Sequence, residues 1–217
     1  MEGMATVVLA ISRQLGAGGS YIGQSVARSL GLTYLDREIL HQAALLLGRQ
    51  DEDLEELDER VANGWVRLTR HLALGPPDAL FTPPRPASSV YEEDLFRIER
   101  QVMREAAARE NCVIVGRASP MVLRDHPGVI RLFVHAPEAW RVDMLMSSMP
   151  GRHREEVIEL MRRTDRDRAR FVQTVCNCDW TNSCHYDLTV NPARLGLDAA
   201  VALVADVVRN RMMEVCR

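Results

Sequence analysis

The sequence predicts an α/β fold, a parallel sheet covered by helices, and three observations carry that expectation. Short apolar runs alternate with longer stretches whose apolar positions recur every three or four residues, the alternation that produces a parallel sheet with crossover helices. The first apolar run passes directly into a glycine-rich turn and then a helical stretch, an arrangement that aims backbone N–H groups at an anion. Finally, 217 residues at 47% hydrophobic and 26% charged are enough for one domain with a full core and too few for two comfortable ones.

The elements follow in order. Thr6 to Ser12 reads as a buried strand, and Arg13-Gln14-Leu15-Gly16-Ala17-Gly18-Gly19-Ser20 as the turn after it. Ile22, Val26 and Leu30 recur every four residues, and Gly31 stops that helix. Leu32 to Leu35 is a short second strand ending at Asp36. Two helices are expected next, over 37–47 and from Asp51 to about Leu72, the second apolar at Leu54, Leu57, Val61, Trp65, Leu68 and Leu72. Five of the ten prolines lie between 76 and 86, which makes that segment a loop expected to be mobile. Ser89 with Glu92 forms a capping-box start for a long helix to about Glu110, apolar at Leu95, Ile98, Val102 and Ala106. Cys112 to Val115 is the third strand, ending in Gly116-Arg117, and Val129 to Val134 the fourth, with a helix opening at Pro137. Residues 152–170 are helical and dense in arginine, Asp187 to Val190 is the fifth strand, and a helix from Asp198 to about Met213 closes the chain.

A net charge of -3 argues against a general nucleic-acid binder, so an anionic ligand must be held by local arginine clusters. No apolar run approaches the roughly 18 residues of a membrane helix. Met1-Glu2-Gly3-Met4 lacks the basic and then apolar pattern of a signal peptide, and a cytoplasmic location is expected. An odd count of five cysteines favours free thiols, with Cys112 in the core. Cys176, Cys178, Cys184 and His185 offer four potential zinc ligands, but without the C-x2-C spacing of common structural sites, so reduced loop cysteines are favoured. No feature specifies an oligomer.

The strongest constellation is the turn itself. Gly16, Gly18 and Gly19, with Ala17 between them, let the backbone turn tightly and present N–H donors, and the following helix N-terminus adds partial positive charge. Ser20, at the first turn, is placed to ligate Mg²⁺ or to cap the helix. A standard Walker A loop would carry glycine at position 13 and lysine at position 19; this chain has Arg13 and Gly19. All 27 basic residues are arginine, so no lysine from elsewhere takes the missing place. Arg13 either supplies the missing charge or faces solvent, with the two equally favoured.

Two further groups belong to the same crevice. In open α/β sheets ligands gather at the carboxyl ends of strands, where Asp36 and Arg117 stand. Arg117 suits bidentate binding of an acceptor phosphate, and Asp36 either orients an acceptor hydroxyl or caps the next helix. Residues 162–170 carry five arginines in nine positions, including Arg162 and Arg168, with Asp165 and Asp167 among them. Such a run is either a solvated helix face or a lid that wraps a migrating phosphoryl group; its place before the last strand favours the lid.

Taken together, Ile11-Ser12-Arg13-Gln14 through Gly19, Leu30-Gly31, Tyr34-Leu35-Asp36-Arg37-Glu38-Ile39, Val113 to Ala118, Arg162 with Asp165 and Arg168, and Trp180 with Tyr186-Asp187-Leu188 resemble the cytidylate kinase-like family of P-loop proteins. The resemblance runs in order over nearly the whole chain. It implies a P-loop NTPase domain of five parallel strands, with a core over 5–36, 111–150 and 186–217, a helical acceptor-binding insertion over 37–90 and an arginine-rich lid over 151–185. It also implies ATP with Mg²⁺ and a nucleotide or phosphorylated metabolite as partner. Gly16 to Ser20 would hold the donor phosphates, Asp36, Arg37 and Arg117 the acceptor, and Arg13, Arg162, Asp165 and Arg168 would act on the transferring group. Where true cytidylate kinases follow the Gly-Arg with a base-reading aspartate, this chain has Ala118. Two expectations therefore stand side by side, a small-molecule kinase and a nucleotide-binding sensor without catalysis.

Overall fold

The computed structural model describes residues 6–37, 39–40 and 89–215, with backbone alone over 89–94. The helices expected over 37–47 and 51–72, the proline-rich loop at 76–86, and hence most of the 37–90 insertion lie outside those residues.

Five strands form one sheet: β1 (Val8–Arg13), β2 (Thr33–Asp36), β3 (Cys112–Val115), β4 (Val129–Val134) and β5 (Leu188–Val190), in the order β2-β3-β1-β4-β5. Every neighbouring pair is parallel, with Val8 opposite Cys112 on one side and Val129 on the other. Alternation along the strands sorts the core into two layers. Val7, Leu9, Ile11, Val113, Val115, Leu132 and Val134 pack with Ile22 and Val26 of α1 (Gly19–Leu30) and with Val204 and Val208 of α7 (Leu197–Val215). Val8, Leu35, Cys112 and Ile114 pack with Phe96, Val102, Met103 and Ala106 of α2 (Ser89–Arg109). Both faces are covered, which is why β1 and β3 read as unbroken apolar runs.

Parallel pairing also fixes the site. Asp36 lies opposite Val115, which lies opposite Ile11, so the ends of β2, β3 and β1 share one edge. Beyond β3 comes α3 (Ser119–Val122), and beyond β4 come α4 (Glu138–Ser148) and α5 (Arg154–Cys176). Val142 and Leu145 of α4 pack on Val157 and Met161 of α5, with Leu15 against them. α5 runs one to two turns past the expected end at residue 170, because Phe171, Val172 and Val175 continue its apolar face onto the sheet and α2. The short α6 (Pro192–Leu195) has a legible start: Asn191 accepts the Ala193 N–H at 3.1 Å and proline holds the first helical position. Among the described residues no helix is long and apolar enough to cross a membrane.

After α5 the chain is tied back to β4. The Tyr186 hydroxyl donates to the Trp180 carbonyl at 2.5 Å, and Phe133 lies between the two rings at 5.1 and 5.7 Å. Asp187 then accepts from the Arg131 backbone at 2.9 Å and from its guanidinium at 3.0 and 2.6 Å. Hydrogen bonds from Arg131 hold the Asp187 carboxyl below the usual carboxylate range. A depressed folded-state pKa gives stability that is present above the unfolded value, about 4, and is lost as pH falls through the folded one. The Asp187 side chain is 42% exposed, so the pair is expected to contribute no more than about 1 kcal/mol. Urea denaturation of Asp187→Asn against wild type should show that gap at neutral pH and lose it as pH falls through the depressed folded-state value. A gap that persists in acid would assign the effect to packing instead.

Candidate phosphate-transfer site

α1 begins without a cap. Gly18 sits at its N-terminus with φ 83° and offers no side chain to cap the first turn. The first intrahelical bond is Ile22 N–H to the Gly18 carbonyl at 2.9 Å, so the N–H groups of Gly19, Ser20 and Tyr21 point out of the helix toward any bound anion. The Ser20 side chain is exposed at this turn. Beside it, burial pushes the Tyr34 phenol up to about 12, and among the described residues its hydroxyl has no hydrogen-bond partner of normal geometry.

The loop is braced from outside. Asp165 on α5 accepts the Leu15 N–H at 2.8 Å through one oxygen and pairs with Arg141 of α4 at 2.5 Å through the other. Arg141 also donates to the Leu15 carbonyl at 3.1 Å, so one residue of the loop is gripped at both its backbone groups. Arg168 donates to the Arg13 carbonyl at 2.8 Å, and the Gln14 side chain accepts from Ala136 at 3.2 Å. The loop is thus fixed by groups on α4, α5 and the end of β4 before any ligand arrives.

Arg13 does not stay over the loop. A Cβ placed on Gly19 would stand 2.5 Å from the Arg13 Cβ and 2.8 Å from its Cγ, and a Cβ on Gly116 would collide with the Arg13 guanidinium. The side chain therefore crosses directly over Gly19 and ends against Gly116 at the tip of β3; both positions need the bare glycine. Among the described residues the buried Arg13 Nε has no hydrogen-bond partner. Burial lowers the Arg13 pKa, offset in part by Tyr34, Asp36 and Asp165, while Arg37 lowers it further. Burial pushes Arg168 well below the usual arginine value, and the charges of Arg13, Arg37 and Arg141 add to that. Although 23% of the Arg168 side chain reaches solvent, its guanidinium is turned inward onto the Arg13 carbonyl, and the direction of the shift follows from that. Arg13 and Arg168 line a cavity of ≈ 40 Å³ with Ser12, Gly116, Arg117 and Ala118, room for roughly three waters. Four guanidiniums and two carboxylates, Asp36 and Asp165, thus share one electrostatic neighbourhood, leaving an excess of positive charge beside the uncapped helix.

The other expected residues are placed as follows. Asp36 accepts the Ile39 N–H at 3.1 Å, which is helix-cap geometry. Arg37 is exposed at the same edge. Arg117, at φ 50°, pairs with the buried Glu99, and its guanidinium lies 4.2 Å from the Phe171 ring centroid. Arg162 turns away from this group toward α4, where its exposed guanidinium meets Glu138 at 2.7 and 3.2 Å. Cys176, Cys178, Cys184 and His185 do not converge; among the described residues no three His, Cys, Asp or Glu side chains are placed to hold a metal. Two participants, Arg141 and Glu99, are not singled out by the sequence, and Tyr34 stands in the Tyr34-Leu35-Asp36 run without a role of its own. Glu99 did carry a signal, since it falls on the Leu95, Val102, Ala106 stripe where a charge requires a partner. Arg141 carried none.

A parallel five-stranded sheet with a glycine loop between its central strand and first helix is the fold of P-loop kinases. The chain belongs to the cytidylate kinase-like family, whose model matches residues 8–194. Among solved structures it is similar to an uncharacterized protein from Eubacterium ventriosum ATCC 27560, at 17% identity over 94% of this chain and 99% of that one, with a TM-score of 0.68. Weaker likenesses are to a shikimate kinase from Bacteroides thetaiotaomicron (16% identity, 94% and 98% covered, TM-score 0.49) and a gluconokinase from Sinorhizobium meliloti 1021 (14%, 97% and 98%, 0.48). The first likeness extends to the fold; the other two fall short of that. No curated protein matches the chain.

Proposed function

We infer that the chain transfers the γ-phosphoryl group of ATP to a nucleoside monophosphate or another small phosphorylated acceptor. The observation that carries this reading is the meeting of Arg13 and Arg168 beside an uncapped helix N-terminus, at the shared edge of β1, β2 and β3. Phosphoryl transfer needs little covalent chemistry from a protein; it needs oriented donors and positive charge where the phosphoryl oxygens pass. The N–H groups of Gly18 to Ser20 suit the donor phosphates, and the open Ser20 hydroxyl suits Mg²⁺, which would offset phosphate charge there. Arg13, reaching the end of β3, lies between the donor loop and the acceptor side marked by Asp36 and Arg37. Asp165 acts as a positioning residue, since both its oxygens are engaged in holding the loop.

One observation favours a second reading, a nucleotide-binding sensor without turnover: the Arg13 guanidinium rests against Gly116 and not over the first turn of α1. An ATP-consumption screen over nucleoside monophosphates and small phosphorylated metabolites, with Mg²⁺ present, separates the two. Turnover with any acceptor supports the kinase; Mg-ATP binding by calorimetry without turnover supports the sensor; neither overturns both.

Arg168→Ala provides a finer test. Its guanidinium is expected to contribute mainly where charge develops, so turnover should fall by about 10² or more while the affinity for Mg-ATP changes far less. Equal losses in both would make Arg168 a docking charge. No loss in either would leave it a strut for the Arg13 carbonyl.

A further inference from the structure

We propose that the chain carries a second anion site, distinct from the cavity between Arg13 and Arg168, that takes a small phosphomonoester with an apolar body. A cavity of ≈ 440 Å³ opens between α2, α3 and the C-terminal turn of α5. That is within the range of small-molecule pockets, about 300–1,000 Å³. It shares no lining residue with the cavity between Arg13 and Arg168.

Its wall is basic in a chain whose net charge is -3. Arg100 and Arg104 stand one turn apart on α2, Arg124 follows α3, and Arg131 comes from β4. Arg131 is neutralised by its two-pronged contact with Asp187. Arg124 meets Asp125, the one acidic residue lining the cavity, at 3.6 Å, with 70% and 91% of the two side chains exposed, a contact that holds neither charge firmly. Among the described residues Arg100 and Arg104 have no ion-pair partner. Two full guanidinium charges and part of a third therefore face one concavity.

The chemistry of the wall selects the ligand class. Guanidinium forks match phosphate oxygens in pairs of parallel hydrogen bonds, which a scattered cationic surface does not do. Phe96, Met121 and Val122 give the cavity an apolar floor, so the phosphate needs an apolar body attached to it. A half-open concavity of this size fits a small molecule better than a duplex or a lipid surface. The site is independent of the phosphate loop, and its occupancy does not require that the chain be a kinase.

The test uses phenyl phosphate with the full chain and two readouts. By calorimetry, Arg100→Gln/Arg104→Gln is expected to weaken binding at least about tenfold, and Arg124→Gln, at a largely exposed position, roughly threefold. Iodoacetamide labelling followed by peptide mass spectrometry gives the location, because Cys178 lines the cavity and the exposed Cys184 does not. Phenyl phosphate should slow labelling of Cys178 relative to Cys184 in wild type and not in the double variant. Binding at the phosphate loop alone would survive the double substitution and leave Cys178 unprotected, which overturns the second site without touching the kinase reading. Absence of binding at about 10 mM overturns it as well. Benzoate binding as tightly as phenyl phosphate would overturn the assignment to a phosphate.

Discussion

Asp165→Ala is expected to destabilise the protein by about 3–5 kcal/mol and to abolish anion binding at the loop. The Asp165 and Arg141 side chains are 17% and 9% exposed, and their contact is 2.5 Å, so removal of the carboxylate strands a guanidinium away from water. The Leu15 N–H loses its acceptor in the same step. Against a total stability of roughly 5–15 kcal/mol this is a large fraction, and the damage is concentrated where the loop must stay folded. Asp165→Asn should fall between, because an amide oxygen still accepts from Leu15 while the charge opposite Arg141 is gone, at about 1–3 kcal/mol. Chemical denaturation and Mg-ATP calorimetry on the same samples check both. If Asp165→Ala keeps wild-type stability and affinity but loses turnover, the carboxylate acts on the reacting atoms and its positioning role is wrong.

The fold was legible because both sheet faces are covered. Strands buried on two sides read as continuous apolar runs, and β3 and β4 emerge with the bounds expected of them, Cys112–Val115 and Val129–Val134. The five-arginine run 162–170 was harder to read, since count and position do not say which side chain turns inward. The buried stripe of α5 does: Val157, Met161, Thr164 and Val172 repeat at three- and four-residue steps, and Arg168 falls on that stripe while Arg162 falls beside it. The inward turn of Arg168 and the pairing of Arg162 with Glu138 follow from that rotation. The path of Arg13 was not legible, because it depends on Gly116, a hundred residues away in sequence and brought alongside only by the pairing of β1 with β3.

Arg13 and Gly19 are sterically complementary, and exchanging their character is expected to give the most informative series. Arg13→Ala should lower turnover about 10²–10³-fold if its guanidinium offsets charge developing in transfer, the scale of one preorganised donor in a dry site. Gly19→Lys alone should not improve on wild type. Gly19 has no left-handed backbone to forbid a side chain, but the new Cβ would lie 2.5 Å from the Arg13 Cβ, which the backbone holds in place. Overpacking of this kind costs about 1–3 kcal/mol and would distort the loop. Arg13→Ala/Gly19→Lys keeps a Cβ at position 13 and so retains the clash. Only Arg13→Gly/Gly19→Lys removes it, and that pair recreates the glycine and lysine spacing of a standard Walker A loop. The double variant should therefore regain Mg-ATP affinity and part of the turnover that either single substitution lacks, a strongly non-additive result. Thermal denaturation, Mg-ATP calorimetry and ATP consumption on wild type, Arg13→Gly, Gly19→Lys and Arg13→Gly/Gly19→Lys measure it. Additive losses would mean that the two positions do not share one space. Full turnover in Arg13→Ala would remove Arg13 from the chemistry and leave Arg168 as the cation nearest the transferring group.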